Sequence, residues 1–235
     1  AIVAAVLVVI GAAAIAQREG GSGGAGVVRP LPPAAARELN QALEYLASGQ
    51  TDRTIAHLNK AIALQPKHAL LRVIRGDVYL EKAEYDQAIA DFDEGLRLDP
   101  KLAVGYSDRA LAHVAREDWI RAIADCDVAL RLDPTMAMAH SNRAAALAES
   151  GQHDNAIADC DAALGLEKGL AVAYANRGRA HLLKGDRDRA IADSKTAIEL
   201  DPTLTIAYLN RGIAYARQGS RERGIADLRL VIKQD

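Results

Sequence analysis

The chain has 235 residues, 29 basic and 31 acidic side chains, and a formal net charge of −2. Half of its residues are apolar, which excludes wholesale disorder, and the balanced charge excludes the clustered Lys and Arg surplus that a phosphate backbone demands. Two cysteines cannot build a disulfide framework, and the abundance of alanine favours helices over strands.

Residues 1–16 read AIVAAVLVVIGAAAIA and carry no polar side chain. As a helix at about 1.5 Å per residue they would span roughly 24 Å, short of the roughly 30 Å hydrocarbon core. A few residues before Ala1 would complete a span, so the segment is expected to be a membrane anchor, in a bacterial inner membrane, with the rest of the chain on its periplasmic or cytoplasmic side. The alternative is a secretory signal peptide, because Ala14-Ile15-Ala16 fits the small-x-small cleavage pattern. Residues 17–34 read as a tether. Gly and Ser loosen its first half, and Pro30, Pro32 and Pro33 stiffen the second. Its glycines are no phosphate loop, since no GK[ST] follows.

From residue 35 onward the chain repeats. Pro66, Pro100 and Pro134 are 34 residues apart, and Pro202 follows at twice that interval, with Lys168 at the skipped position. Six rows result: 35–68, 69–102, 103–136, 137–170, 171–204 and 205–235. Column 8 is small in every row (Ala42, Gly76, Ala110, Ala144, Gly178, Gly212), and so is column 20 except for Thr54 (Ala88, Ala122, Ala156, Ala190, Gly224). Column 21 is always Ile and column 22 always Ala. Small residues let two helices approach closely, and the Ile column is expected to fill the space between them. Gly49, Gly151, Gly185 and Gly219 share column 15, where a helix C-terminus calls for positive φ. Asp99-Pro100, Asp133-Pro134 and Asp201-Pro202 end each second helix, because the residue before Pro is pushed out of the α region. Each row therefore predicts helix, tight turn, helix, turn, with a looser turn at Lys168-Gly169.

With Tyr174, Gly178, Ala190, Ala197 and Pro202 falling as they do in row five, residues 35–235 resemble the tetratricopeptide repeat (TPR) family. The resemblance implies an all-α fold: a right-handed superhelical solenoid of six helix-turn-helix repeats, here preceded by the N-terminal hydrophobic helix. Row six ends without the polar helix that caps such arrays, so Ile225, Leu228 and Ile232 are expected to be partly bare and open to self-association or to cover by another chain.

Arg recurs at column 7 and Asp at column 23, in the pairs Arg75/Asp91, Arg109/Asp125, Arg143/Asp159, Arg177/Asp193 and Arg211/Asp227. A planar guanidinium suits a bidentate carboxylate, so each Arg is expected to hold the Asp of its own row as a structural pair. By the resemblance, first-helix columns 2, 5, 6, 9, 12 and 13 face a concave groove. Column 6 there supplies Asp108 and the asparagines Asn142, Asn176 and Asn210; column 5 supplies Ser107 and Ser141; column 9 supplies the isolated charges Asp77 and Arg179. The asparagines resemble the ladder lining the O-linked N-acetylglucosamine transferase repeats, which implies backbone contacts to an extended peptide. The alternative is that each Asn bridges neighbouring first helices. Column 2 adds Leu70, Val104, Met138, Val172 and Ile206, as groove patches or as packing between repeats.

The family's clamp for acidic chaperone tails is absent, since Leu39 and Leu43 stand where it needs Lys and Asn. Cys126 and Cys160 both fall at column 24 and read as buried packing. The six His make no i, i+4 pair, and no nucleophile elbow appears. No catalysis, metal, cofactor, small-molecule substrate or nucleic acid is assigned. The expected function is a membrane-tethered scaffold that holds a partner's peptide or helix in its groove and supports assembly of a membrane-associated complex. A structural subunit docking through its hydrophobic helix and outer surface is a second reading, and a periplasmic or secreted chaperone-like protein a third.

Overall fold

The computed structural model describes residues 31–234. The apolar stretch 1–16 and most of the 17–34 tether lie outside them. Twelve helices account for the regular structure of the described residues: α1 (Pro33–Ala47), α2 (Thr51–Leu64), α3 (Ala69–Glu81), α4 (Tyr85–Leu98), α5 (Ala103–Ala115), α6 (Trp119–Leu132), α7 (Ala137–Glu149), α8 (His153–Leu166), α9 (Ala171–Lys184), α10 (Arg187–Leu200), α11 (Thr205–Arg217) and α12 (Arg221–Gln234). The chain divides into two compact units, residues 1–112 and 113–235, with the division inside α5. In the first unit, α1 pairs with α2 and α3 with α4. In the second, the hairpins are α7/α8, α9/α10 and α11/α12, and α9 also packs on both α7 and α11, so successive first helices form one layer. None of the described helices is long and apolar enough to cross a membrane.

The small columns sit where the helices cross. Ala42, Ala110 and Ala144 at column 8 are buried, as are Ala88, Ala122, Ala156 and Ala190 at column 20. A Cβ on Gly76 would lie 2.7 Å from the Phe92 ring, and one on Gly224 would lie 2.8 Å from the Gly212 carbonyl oxygen. Thr54 is tolerated at column 20 because its hydroxyl donates back to the Gln50 carbonyl oxygen at 3.2 Å. The Ile column fills less of the interior than expected. Ile191 is buried, Ile55, Ile89, Ile123 and Ile157 are half-buried, and Ile225 is 50% exposed. The tight filling comes three positions further on, at column 24, where Leu58, Phe92, Cys126, Cys160 and Ser194 have no exposure. Burial pushes both cysteine thiols up, so they pack as small apolar groups.

The turns follow the residues. Asp99, Asp133 and Asp201 are extended at the ends of α4, α6 and α10, and their side chains accept the N–H of Lys101, Thr135 and Thr203 at 2.9–3.0 Å. The looser turn expected at Lys168-Gly169 is not observed. Glu167 takes the same conformation (φ −138°, ψ 94°), and the Leu170 N–H donates to its carbonyl oxygen at 3.2 Å. The backbone bond closes this turn without a proline; only the side-chain bond lacks a counterpart. Gly49, Gly151, Gly185 and Gly219 all have positive φ, as do Ala83 and Glu117, which occupy the same column.

The column 7 arginines make more contacts than a single pair each. Arg75 donates two bonds of 2.6 Å to Asp91, and Arg143 two of 2.7 Å to Asp159. Arg177 reaches Asp193 at 2.7 and 2.9 Å, and Arg211 reaches Asp227 at 2.7 and 2.8 Å. The free Nη1 then reaches back to column 25 of the preceding row: Arg75 to Asn59, Arg109 to Asp93, Arg143 to Asp127 and Arg177 to Asp161, at 2.5–2.7 Å. The expected partner Asp125 of Arg109 lies across the division between the units. In row six the backward reach has no acceptor, because column 25 of row five is Lys195. Asp227 is nevertheless only 5% exposed, on the inner side of the last helix, while Ile225 and Ile232 of that helix are exposed. The exposed surface of the last helix therefore carries Ile225, Leu230 and Ile232 together with Arg221, Arg223 and Arg229, and Asp227 takes no part in it. Hydrogen bonds to Asp159, Asp193 and Asp227 are the main reason the Arg143, Arg177 and Arg211 pKa values rise. An Arg also lies over a tyrosine ring where column 4 supplies one: Arg109 over Tyr106, Arg177 over Tyr174 and Arg211 over Tyr208, at 5.4–5.6 Å.

The two acceptors of Arg177 differ in burial: Asp193 has an 11% exposed side chain and Asp161 a 57% exposed one. Asp193→Ala should therefore cost about 2 kcal/mol, and Asp161→Ala less than about 1 kcal/mol, in urea unfolding. Glu117→Gly should gain about 0.5–1 kcal/mol, because the left-handed conformation strains Glu but not Gly; a lowered thermal midpoint would contradict this.

Candidate functional site

The residues expected to line the groove divide into two groups. Ser141, Asn142 and Asn210 are buried in the second unit, and Ser107 is buried in the first. Asn176, Arg179, Asp77 and Asp108 keep part of their surface in solvent.

The asparagines act as struts between first helices. Asn176 Nδ2 donates to the Ser141 carbonyl oxygen and hydroxyl at 3.0 Å, tying α9 to α7. Asn210 Nδ2 donates to the Ala175 carbonyl oxygen at 3.0 Å, tying α11 to α9. Both bonds span 35 residues, one repeat plus one, so each is made to column 5 of the preceding row. Asn210 has no exposure, and its Oδ1 has no partner. These bonds are those of the bridging alternative, with the amide donors turned into the layer.

Asp77 and Arg179 are not isolated. Arg179 Nε donates to Glu149 Oε1 at 2.7 Å, a bond between α9 and α7. The charge of Asp108, on α5, acts on Asp77. Burial pushes both carboxyls up, Asp108 to about 7, and the negative charge of Asp108 raises Asp77 further.

Several apolar side chains of the α7–α9–α11 layer also keep part of their surface in solvent. Met138 and Val172 pack at their inner edges on Leu164, Leu170 and Ala173, and both keep partial exposure; Ile206 is an exposed member of the same column. Ala145 and Ile213 flank the Arg179–Glu149 pair at column 9 and are also half-exposed. Three equivalent apolar side chains thus stand one repeat apart. A second row of paired edge groups lies at the hairpin tips: Lys82 with Asp52, Lys184 with Asp154 and Gln218 with Asp188, each spanning 30 residues. In this series Ile120 and Ser150 replace the charged pair, and Ile120 is correspondingly bare.

Column 25 holds a signal that the repeat pattern alone does not decode. Asn59, Asp93, Asp127 and Asp161 stand there in the first four rows and serve the Arg one row later. Asp77 and Asp108 come from columns 9 and 6 of different rows, so no single row shows that one acts on the other. His113 and His181, at the column that elsewhere holds Tyr, are buried, each with Nε2 3.8–3.9 Å from the row's Asp. Among the described residues no group of three or more His, Cys, Asp or Glu side chains is placed to hold a metal ion.

Comparison with known proteins agrees with the repeat. A family profile described as tetratricopeptide repeat matches residues 39–103 and 107–171, and a second, described as TPR repeat, matches residues 178–219. No curated protein sequence matches significantly. Among solved structures, YrrB, described as a TPR protein with an unusual peptide-binding site, shares 24% identity and a TM-score of 0.54, over 74% of this chain and 89% of that one. PilW, described as a widely conserved type IV pilus biogenesis factor, shares 20% identity and a TM-score of 0.72, over 83% and 91%. A thermophilic TPR protein from Thermus thermophilus shares 21% identity and a TM-score of 0.67, over 78% and 100%.

If the asparagines are struts, their removal is a matter of stability. Asn210→Ala should lower the urea midpoint by the equivalent of about 1 kcal/mol. A midpoint equal to that of the parent would return the amide to a ligand-facing role.

Proposed function

The chain belongs to the tetratricopeptide repeat family, and from that premise we propose that it is a protein-interaction scaffold whose second unit holds a partner segment on the α7–α9–α11 layer. The observation that carries this reading is the row of partly exposed apolar side chains, Met138, Val172 and Ile206, beside the Arg179–Glu149 pair. Packed helices stand about 8–10 Å apart. That interval is close to the roughly 10.5 Å between positions i and i+7 of an α-helix. A partner helix with apolar residues at that spacing would meet one apolar side chain per repeat, and its polar groups would meet Arg179 and Glu149 at the rim. The buried asparagines shape this wall rather than read the partner.

The apolar segment 1–16 supports a tether to a bacterial inner membrane, with the repeats in the periplasm or the cytoplasm. Tethering raises the local concentration of the scaffold near membrane-bound partners, which suits assembly of a membrane-associated complex. Peptide binding by YrrB and pilus biogenesis by PilW are compatible with such a role. The chemistry is that of binding, with no catalytic constellation assigned.

A photo-crosslinker at Val172 in the full chain should trap a partner in native membranes, and Ile206→Glu should reduce trapping at least about tenfold while helical circular dichroism stays unchanged. Equal trapping by the Glu variant would remove the α7–α9–α11 face from consideration. Mass spectrometry of the mature N-terminus tests the tether, since a chain beginning at Gln17 would exclude it.

A further inference from the structure

The tether joins the described residues at a particular place. Leu31 packs on Ala61, Ile62 and Leu71, at the end of α2 and the start of α3. Each hairpin of the first unit is antiparallel, so the starts of α1 and α3 and the ends of α2 and α4 share one edge. Residues 17–30 separate the apolar stretch 1–16 from Leu31, and fully extended they reach no more than about 50 Å. The surface that holds residues 1–16 is therefore kept within that distance of this edge.

The edge has a composition of its own. Over residues 31–36, 63–70 and 97–104 every exposed side chain is apolar or basic, with Leu64, Pro66 and Lys67 in one turn and Arg97, Pro100 and Lys101 at the next. Leu64 is 48% exposed. Lys60 stands one turn further in, and its side chain is 61% exposed. The carboxylates near this edge are engaged within the unit: Glu38 by His57, Asp93 by Arg109, Glu94 by Arg97, and Asp99 by the Lys101 N–H. Among the described residues, no carboxylate pairs with the Lys67 or Lys101 ammonium group. The opposite edge, at the hairpin tips 48–53 and 82–87, carries Asp52, Glu84 and Asp86 against Arg53 and Lys82. Residues 31–112 together hold 10 basic and 12 acidic side chains, so the basic edge is a local separation of charge and no reflection of composition. The matching turns of the second unit carry Arg131 and Lys168 against Asp133, Glu167, Glu199 and Asp201.

We propose that the tether-side edge of the first unit docks on an anionic lipid surface, with Leu64, Pro66 and Pro100 at the headgroup boundary and Lys60, Lys67 and Lys101 facing lipid phosphates. A lysine stem lies along apolar surface while its charge stays at the level of the phosphates. Apolar contact and attraction to anionic lipid act together at such a boundary. The attraction falls off within a Debye length, about 8 Å at physiological salt, so the lysines at the edge contribute and the carboxylates at the hairpin tips do not oppose them. This inference rests on the tether reading of residues 1–16, which supplies the local concentration that makes a weak contact effective. It gives the first unit an orientation: the starts of α1 and α3 face the bilayer, and Asp52 and Asp86 face away from it.

The test uses the full chain reconstituted in vesicles of phosphatidylcholine, alone or with about 30% phosphatidylglycerol. A fluorophore is attached at Ala63→Cys, Asp52→Cys or Val8→Cys; the native Cys126 and Cys160 have no exposure and stay unlabelled. On the anionic vesicles, quenching by nitroxide lipids should be at least about threefold stronger at Ala63→Cys than at Asp52→Cys. It should fall to the Asp52→Cys level on phosphatidylcholine alone, in about 0.5 M salt, and when Lys67→Glu and Lys101→Glu are added. Equal quenching at the two edges overturns the docking, and so does strong quenching at Ala63→Cys that ignores lipid charge. Shielding of Ala63→Cys in native membranes but not in protein-free vesicles assigns the edge to a protein and overturns it as well. The Val8→Cys label keeps the two readings apart. Quenching there without quenching at Ala63→Cys leaves the tether standing and removes the edge. No quenching at Val8→Cys removes the tether, and Ala63→Cys on the anionic vesicles then decides the edge alone. Should the charge-reversed variant lose its helical circular dichroism, the salt series decides in its place.

Discussion

The arginine at column 7 is the constraint on which the stacking depends. Its guanidinium is planar and has five N–H groups in a fixed fork. Two of them close the hairpin on an Asp of the second helix, and a third is left pointing toward the previous hairpin. One side chain thus fixes the helix pair and its register to the preceding pair. The carboxylate it closes on is buried, while the carboxylate it reaches back to is exposed in Asp93, Asp127 and Asp161. The buried contact accounts for the strict recurrence of the column 23 Asp, because an ionised oxygen withdrawn from water must be met by donors. The exposed contact contributes little energy but adds direction. Rows one and six show the pattern from outside. Row one has no column 7 Arg, and His57 turns instead to Glu38 at 2.8 Å. Row six keeps the closing half, Arg211 on Asp227, and loses the backward half at Lys195.

The second constraint is distance. Columns 8 and 20 are small because the backbones cross there, and Gly224 against Gly212 is the extreme case. Close crossings press the first helices into a layer, and that layer has polar positions at columns 5 and 6. Asn176 and Asn210 satisfy themselves by donating to the helix before. With the polar groups turned inward, the surface left for a partner is more apolar than a reading of the side chains in order suggests. Shape and apolar spacing, rather than amide readout, then set what the face can accept.

Fold was legible in the sequence to an unusual depth because every hairpin repeats the same solution. Column 8, column 20, the glycines of column 15 and the Arg–Asp pairs each declare a physical role by recurring. Even so, recurrence misled in one respect: the invariant Ile of column 21 is mostly half-buried, while the variable column 24 has no exposure in its first five rows, at Leu58, Phe92, Cys126, Cys160 and Ser194. A buried site surrounded by neighbours of changing size must change with them, whereas a half-buried one is free to stay constant. The candidate site was less legible because its residues are defined by what lies between rows. Whether Asn210 faces a ligand or the preceding helix depends on the offset of one first helix against the next, and no single row contains that offset.

The same point separates the two kinds of information in the chain. Agreement among rows specifies the hairpin and its stacking, so it is silent about what distinguishes one repeat from another. Departures carry that distinction: Ile120 where the edge series has a carboxylate, Arg179 where neighbouring rows are apolar, and Asp108 where later rows have Asn.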